Sequence, residues 1–365
     1  MRGNSRTASK NIYLLCPLSG AGLLPEPSQT RMPSLAIVIL NWNGKQLLER
    51  FLPAVLQHSP GATVYLADNA SEDDSVAYTR KAFPQVRIIQ NPENEGFAGG
   101  YNRALASVEE DLYCLLNSDV EVTEGWLDRV LHIFSSDPAT GIVQPKIKDL
   151  LKPTHFEYAG AAGGFLDLFG YPFCRGRIFQ SLEEDTGQYD DERGIFWATG
   201  ACMFIRKEVF RALGGFDTDY FAHQEEVDLC WRAHNHGYKV MYTGRSTVFH
   251  LGGSTLSNMN PKKTYLNFRN SLFSITKNLP RKKAFPIVFC RLLLDGLAAA
   301  RFVFQGRWRH ALAILRAHLS YYRQVGKMLR KREKVSFVQK YYATTSIVWS
   351  YYVYGIKNFN ILVKD

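Results

Sequence analysis

Leu35 to Leu40 reads "LAIVIL", six consecutive aliphatic residues, three of them β-branched, that run directly into "NWNG". A stretch with no polar member leaves no face for water, so it predicts a strand covered on both sides within a parallel sheet. The same alternation then repeats. Leu47, Leu48, Phe51, Leu52, Val55 and Leu56 fall at helical spacing, "TVYLAD" predicts a strand, Asp73 to Phe83 a helix, and "RIIQ" a strand. Ala98 to Val108 predicts a helix, "LYCLL" a strand, and Gly125 to Phe134 a helix behind Thr123 as its candidate cap. Strands alternating with helices of about ten residues predict an α/β fold of right-handed βαβ units in a doubly wound, mostly parallel sheet.

Polar clusters follow the predicted strands: "NWNG", "DNASEDDS", "NPENEGFAGG" and "NSD". Turn chemistry alone favours Asn, Ser and Asp at any one of these places. Four in succession at the carboxyl ends of a doubly wound sheet point instead to a ligand cleft along that rim. Beyond Gln144 the pattern loosens into a Gly- and aromatic-rich stretch, Tyr158 to Phe179, and an acidic loop, Glu183 to Glu192. Regularity returns with "FWATGACMFIRKEVFRALGGFD", which predicts a strand, a helix from Arg206 to Leu213 and a stop at Gly214 and Gly215. "EEVDLCWRAHNHGY" predicts a helix ending at Gly237, leading into strand "KVMY".

With 365 residues, 46% hydrophobic and 21% charged, the chain is long enough for one large α/β domain plus an appendage. Its six cysteines (Cys16, Cys114, Cys174, Cys202, Cys230 and Cys290) have no C-x-x-C spacing, which argues against a zinc site or a disulfide framework and for a reducing compartment. The net charge of +10 is unevenly spread: Lys262 to Lys340 holds 19 Lys and Arg against Asp295 and Glu333. Such a segment seeks a polyanion. Residues 286–305 are apolar but interrupted by Arg291, Asp295 and Arg301, whereas a span needs ~20 apolar residues with few charges. Peripheral attachment to an anionic membrane surface is therefore expected, and nucleic acid is not expected as a partner. The expected divisions are an N-terminal extension at 1–31, disordered or an over-long start although it imitates a signal peptide, a catalytic domain at 32–275, and a helical, basic region at 276–365.

In order along the chain, "VILNWNG", "LADNASEDDS", "NPENEGFAGGYNRAL", "LLNSDV", "TGACMFIRKEVFRALGGFD", "QEEVDLCWRAHNHGY" and "VFHLGGST" resemble the family 2 inverting glycosyltransferases of the GT-A fold, in particular the bacterial rhamnosyltransferase-like branch. The resemblance covers roughly Ser34 to Leu272. It implies a nucleoside-diphosphate sugar donor (UDP- or dTDP-linked), a glycan or lipid-linked acceptor, a divalent metal (Mg²⁺ or Mn²⁺), and work at the cytoplasmic face of the inner membrane.

By the same resemblance, Asp68 accepts the N–H of a uracil or thymine ring, with Asn41, Asn43 and Asn69 beside it. Gly96, Gly99 and Asn102 line the donor-sugar pocket. The spacing of that glycine loop is not G-x-G-x-x-G and it follows the third strand, which disfavours a dinucleotide-binding dehydrogenase. Asp119 matches the last acid of the family's D-x-D metal motif, and His250 aligns with a metal-binding His in part of the family. Asn117 stands where the motif has its first Asp, so Asn117 and Ser118 are assigned to donor contacts. Glu226 is the expected general base, with Glu225 in reserve, because neighbouring carboxylates raise one another's pKa. Trp197, Thr199, Gly200 and Asp228 are expected on the acceptor side. A catalytically silent sugar-binding or scaffold relative is the alternative, motivated by Asn117 and by Glu in place of the commoner Asp.

Overall fold

The computed structural model describes residues 32–252 and 260–363, so the expectation for 1–31 lies outside the described residues. β1 (Leu35–Asn41), α1 (Lys45–His58), β2 (Thr63–Asp68), α2 (Ser75–Ala82), β3 (Arg87–Gln90), α3 (Gly96–Leu105) and β4 (Leu112–Asn117) form the first half. Strands β2 and β4 pair in parallel with the two edges of β1, and β3 pairs in parallel with β2. The aliphatic run behaves as its lack of polarity demands. Ala36 and Val38 enter one buried cluster with Tyr113 and Leu115, while Leu35, Ile37 and Ile39 enter another with Leu112, Cys114 and Leu116. Successive side chains of a strand point to opposite faces, and here both faces are covered.

The second half adds β5 (Val120–Val122), α4 (Asp128–Ser136), β6 (Thr140–Asp149), a four-stranded antiparallel sheet β7–β10 (Gly164–Leu166, Pro172–Cys174, Arg177–Ile178, Ser181–Leu182), β11 (Glu192–Gly194), β12 (Cys202–Arg206), α5 (Lys207–Ala212), α6 (Glu225–Asn235) and β13 (Lys239–His250). The main sheet runs β11-β13-β6-β12-β4-β1-β2-β3, with β5 paired to β13. It is mixed: β12 lies antiparallel between β4 and β6. Strand order reverses about β1 and β4, where a doubly wound sheet opens its crevice. Thr123 is not a helix cap; α4 starts at Asp128, and the Thr123 hydroxyl donates to the Thr247 carbonyl at 2.8 Å, tying the end of β5 to β13.

From Pro33 onward the chain is one body. Its last helices are α7 (Pro261–Asn278), α8 (Arg281–Phe304), α9 (Trp308–Arg330), α10 (Ile347–Tyr352) and α11 (Phe359–Leu362). The division expected at 275/276 falls inside α7. None of the described helices is long and apolar enough to cross a membrane. Helix α7 is fastened to α6 and to the loop before it through a buried anion, Asp228 of α6. Its Oδ2 accepts from Arg232 Nε at 2.9 Å and Lys277 Nζ at 3.0 Å; its Oδ1 accepts from Asn278 Nδ2 at 2.8 Å and the Tyr220 hydroxyl at 3.2 Å. Asp228 is thus consumed by structure, a correction to its expected acceptor-side role. Lys277 also reaches Asp217 at 2.6 Å, Lys327 reaches Asp219 at 2.6 Å, and Lys331 bridges both acids. Part of the basic surplus therefore clamps the loop ahead of α6.

Burial alone would raise the Asp228 pKa, but the Lys277 and Arg232 charges hold it well below the usual carboxylate range. A carboxylate depressed in the folded state stabilises above its unfolded pKa, and that contribution disappears as pH falls through the folded value. Asp228→Ala leaves the buried Arg232 without its carboxylate and Lys277 with Asp217 alone, and should cost about 3–5 kcal/mol in urea denaturation at neutral pH. The difference from wild type should shrink in acid.

Candidate active site

At the ends of β1 and β2, the buried Asn41 donates from Nδ2 to Asp68 Oδ1 and to Ser71 Oγ, both at 3.1 Å, and Ser71 N–H donates to Asp68 Oδ2 at 3.0 Å. Asp68 therefore shapes its turn, yet a carboxylate accepts about four hydrogen bonds and two of these sites are used. The buried Asn41 Oδ1 has no partner among the described residues. Asn43, in the left-handed region at φ 51°, accepts the Glu72 N–H at 2.7 Å and holds the second rim loop against the first.

Several expected donor contacts are instead spent on the scaffold. Asn69 Nδ2 donates to Asn94 Oδ1 and to the Gly96 carbonyl, while its Oδ1 accepts from Asn91, so its amide builds the loop before α3. Asn102 closes a two-way amide pair with the Phe216 backbone, at 2.7 and 2.9 Å. Gly96 has φ +72°, and a Cβ there would lie 2.6 Å from the Phe221 carbonyl oxygen, so only glycine lets α3 start at this place. Gly99 packs against the Glu95 side chain of the same turn. These are corrections for Asn69 and Asn102, whose amides donate and accept within the fold, and they give both glycines a packing role.

Asn117 ends β4, and its N–H donates to the Ala201 carbonyl at 3.0 Å. It and Ser118 are half-buried at the rim. Two residues on, β5 pairs antiparallel with β13, setting Val120 opposite His250. That register, with the Leu251 N–H donating to the Asp119 carbonyl at 3.0 Å, brings the His250 imidazole to the Asp119 side chain. His250 Nε2 lies 3.1 Å from Asp119 Oδ1, and Nδ1 lies 3.4 Å from Glu157 Oε1, all three groups being buried. Burial opposes a charge on this histidine, but the two carboxylates raise its pKa to about 10.

The donor set fits a divalent cation. Oxygen and imidazole nitrogen separated by 3.1 Å match adjacent ligands of an ion with bonds of roughly 2.1 Å. Among the described residues no cluster of three or more such side chains forms, so substrate phosphates and water would complete the shell, the usual arrangement for Mg²⁺. Glu157 is a residue that the sequence reading missed. It lies just ahead of the aperiodic Gly- and aromatic-rich stretch, and only the fold brings it to His250, where it would orient the ring as a carboxylate behind a metal-ligating histidine does.

Glu225 and Glu226 open α6 behind an unusual approach. Phe221, His223 and Gln224 all have positive φ, 63°, 68° and 73°. The Phe221 carbonyl accepts the N–H groups of Phe97 and Ala98, which tethers this loop to the start of α3 and so to the same rim. Glu225 is buried, Glu226 half-buried, and one oxygen of each carboxylate has no partner among the described residues. Burial and the neighbouring Glu226 charge push Glu225 well above the normal carboxylate range, and burial lifts Glu226 to about 7. His223, also missed by sequence reasoning, is driven down to about 4 by burial and by Lys263, so it is neutral beside them.

The expected acceptor-side trio is more interior than its sequence suggested. Trp197 is core: its Nε1 donates to the Phe165 carbonyl at 3.0 Å, and Gly164 lies so close to the indole that a Cβ would fall 2.1 Å from it. Thr199 is buried, its N–H donating to Gln144 and its hydroxyl accepting from Ala201 N. Gly200 lies against the Phe97 ring. These three hold the strand-to-turn passage that supports Asn117 and give no contact surface of their own.

Residues 36–214 match the model of the family described as Glycosyl transferase family 2. The chain is 28% identical over 235 residues to the N-acetylglucosaminyl-diphospho-decaprenol L-rhamnosyltransferase of Mycobacterium tuberculosis, covering 59% of this chain and 75% of that protein. It is 26% identical over 233 residues to the pre-mycofactocin glycosyltransferase of the same organism, covering 61% and 44%. Among solved structures it is similar in fold to GalNAc-T7 with UDP, GalNAc and Mn²⁺, with a TM-score of 0.55 and 16% identity over 70% of this chain and 50% of that one.

The raised Glu226 pKa has a measurable consequence. An acid whose pKa rises on folding stabilises fully below its unfolded value and loses that contribution as pH climbs through the folded one. Glu226→Gln should therefore gain stability relative to wild type as pH rises from about 4.5 to beyond 7, as followed by denaturation midpoints across that window.

Proposed function

On the premise that the chain carries a glycosyl transferase family 2 domain, we propose that it transfers a hexosyl or deoxyhexosyl group, with inversion, from a UDP- or dTDP-sugar to a hydroxyl of a glycan or lipid-linked acceptor. The work is done at the cytoplasmic face of the inner membrane, where the acceptor lipid is held. The observation that supports this reading is the buried pair of Asp119 and His250, together with the Glu225–Glu226 corner of α6, whose approach loop is tethered to the start of α3.

Asp68 and the open Asn41 Oδ1 offer hydrogen-bond acceptors suited to the imide N–H of uracil or thymine. Asn117 and Ser118 face the donor between base and diphosphate. Asp119 and His250 would hold a divalent ion, which when bound neutralises charge on the departing diphosphate. Glu226, with a pKa near neutrality, takes the proton of the acceptor hydroxyl. The freed oxygen attacks the anomeric carbon, and the bond from that carbon to the diphosphate oxygen breaks with its electron pair on the diphosphate, so the configuration inverts. Glu225 remains protonated beside it and keeps the shared corner from holding two charges.

Release of nucleoside diphosphate should require both acceptor and Mn²⁺ or Mg²⁺ and should stop on chelation. Glu226→Gln should lower kcat by about 10²–10⁴-fold. Asp119→Ala should abolish turnover and the Mn²⁺-dependent rise in melting temperature with a nucleotide sugar. A panel of nucleotide sugars screened by thermal shift identifies the base and sugar. Donor binding without turnover across all acceptors would overturn the transfer reading in favour of a silent sugar-binding relative.

A further inference from the structure

Helix α8 is turned inside out. Its buried residues are Ala284, Val288, Arg291 and Asp295. Arg291 Nη2 donates to Ser271 Oγ at 2.9 Å and Nη1 to the Phe169 carbonyl at 3.0 Å, and the guanidinium lies 3.6 Å from the centre of the Tyr171 ring. Asp295 accepts from the Tyr171 hydroxyl at 2.8 Å and lies 3.2 Å from His318 Nε2 of α9. Two of the three charges that interrupt the apolar run, Arg291 and Asp295, thus face the protein, while Arg301 is exposed. The exposed large residues of the helix are Phe285, Phe289, Leu293, Leu297, Val303 and Phe304, from 52% to 91% accessible. At 3.6 residues per turn, the row from Phe285 to Leu297 with Phe304 centres on the order of 160° from the buried set. Water is a poor solvent for this face, and a soluble helix has the opposite arrangement.

The exposed apolar residues are concentrated in this region. Among the described residues, those outside it are Met32, Trp42, Leu151 and Phe221, while α9 and the chain beyond it add nine more, among them Trp308, Leu319, Tyr322, Trp349 and Tyr354. Trp and Tyr at the margin of an apolar face are the residues that settle at a lipid–water boundary. The charge pattern narrows the partner further. Arg281, Lys282 and Lys283 are exposed in the first turn of α8, where the helix dipole disfavours cations and no acid is present. Arg309, Arg316 and Arg323 recur every seven residues on α9, exposed, and line a groove of about 720 Å³ with Trp308, Leu319 and Lys262. An apolar row flanked by unneutralised cations is complementary to a surface with acyl chains below and phosphates above.

We infer that the outward face of α8 inserts into an anionic lipid bilayer, with the first-turn cations of α8 at the headgroup phosphates. This rests on the proposed lipid-linked acceptor only for its purpose, since the surface is carried by α8 itself. It gives the membrane-side partner a residue-level address. Lys262, at the head of the groove, lies over the Phe221 ring at 5.1 Å, so the basic side of this region adjoins the loop that leads to Glu225.

The test is flotation of the full-length chain with vesicles of phosphatidylglycerol and phosphatidylethanolamine, compared with pure phosphatidylcholine. Wild type should float with the anionic vesicles, and binding should weaken at high salt. Phe289→Glu with Leu293→Glu should reduce binding at least tenfold, and Lys282→Glu with Lys283→Glu should weaken it while removing much of its salt dependence. Leu297→Glu with Phe304→Glu is a second apolar pair, should the first misfold; unchanged circular dichroism and melting certify either. The inference is overturned if the apolar variants float as wild type does, if wild type ignores vesicles, or if wild type is a dimer in sedimentation that these variants convert to monomer. Nucleoside diphosphate release with a water-soluble acceptor analogue, measured on the same preparations, should be unaffected by the α8 variants. Loss of vesicle binding with release intact therefore bears on the membrane face, and absence of release in wild type bears on the transfer reading.

Discussion

The four-way coordination of the Asp228 carboxylate is the joint on which the start of α6 rests. One buried anion is shared by its own helix through Arg232, by α7 through Lys277 and Asn278, and by the preceding loop through Tyr220. Because the partners come from three segments, the start of α6 cannot move without breaking a desolvated charge pair. Glu225 and Glu226 lie three and two residues away, so their aim is inherited from this joint. The C-terminal helices are consequently part of the site's framework even though they supply none of its chemistry.

Polar groups at the rim sort into two populations. Asn69, Asn102, Thr199 and Asn43 make hydrogen bonds to neighbouring backbone or side chains that tie the rim loops together. Asn41 Oδ1 and one oxygen on each of Glu225 and Glu226 are buried without a protein partner. Unpaired buried polar atoms are costly, and a native fold retains few of them. These three atoms sit at the end of β1 and the start of α6, and other buried polar atoms without a partner among the described residues lie elsewhere, as on Thr79, Arg177 and Trp231.

Much of the fold was legible because the sheet's first half obeys a simple rule: aliphatic runs with no polar face have to be covered twice, and β1, β2 and β4 are. Helix boundaries shifted by two or three residues where capping was misjudged, as at Thr123. The small sheet β7–β10 escaped because its strands are two or three residues long, too short for any period to register. The site was legible to the extent that a residue sits at a strand end. Asp68, Asn117 and Asp119 follow from local pattern, whereas Glu157 reaches His250 only through the long-range parallel pairing of β6 with β13. Side-chain assignments failed most where an amide or indole had a use inside the protein. Nothing in a linear sequence distinguishes an Asn that binds ligand from one that pairs with Phe216 114 residues away.

The left-handed backbone at Phe221, His223 and Gln224 has a consequence for how such a chain can change. Each non-glycine residue in that region costs on the order of 1–3 kcal/mol. Glycine would relax the segment, but it would also remove the ring under Lys262 and the neutral imidazole beside the two glutamates. Selection for heat resistance alone would therefore press on this corner first, and the gain would come from loosening the very turn that orients the carboxylates.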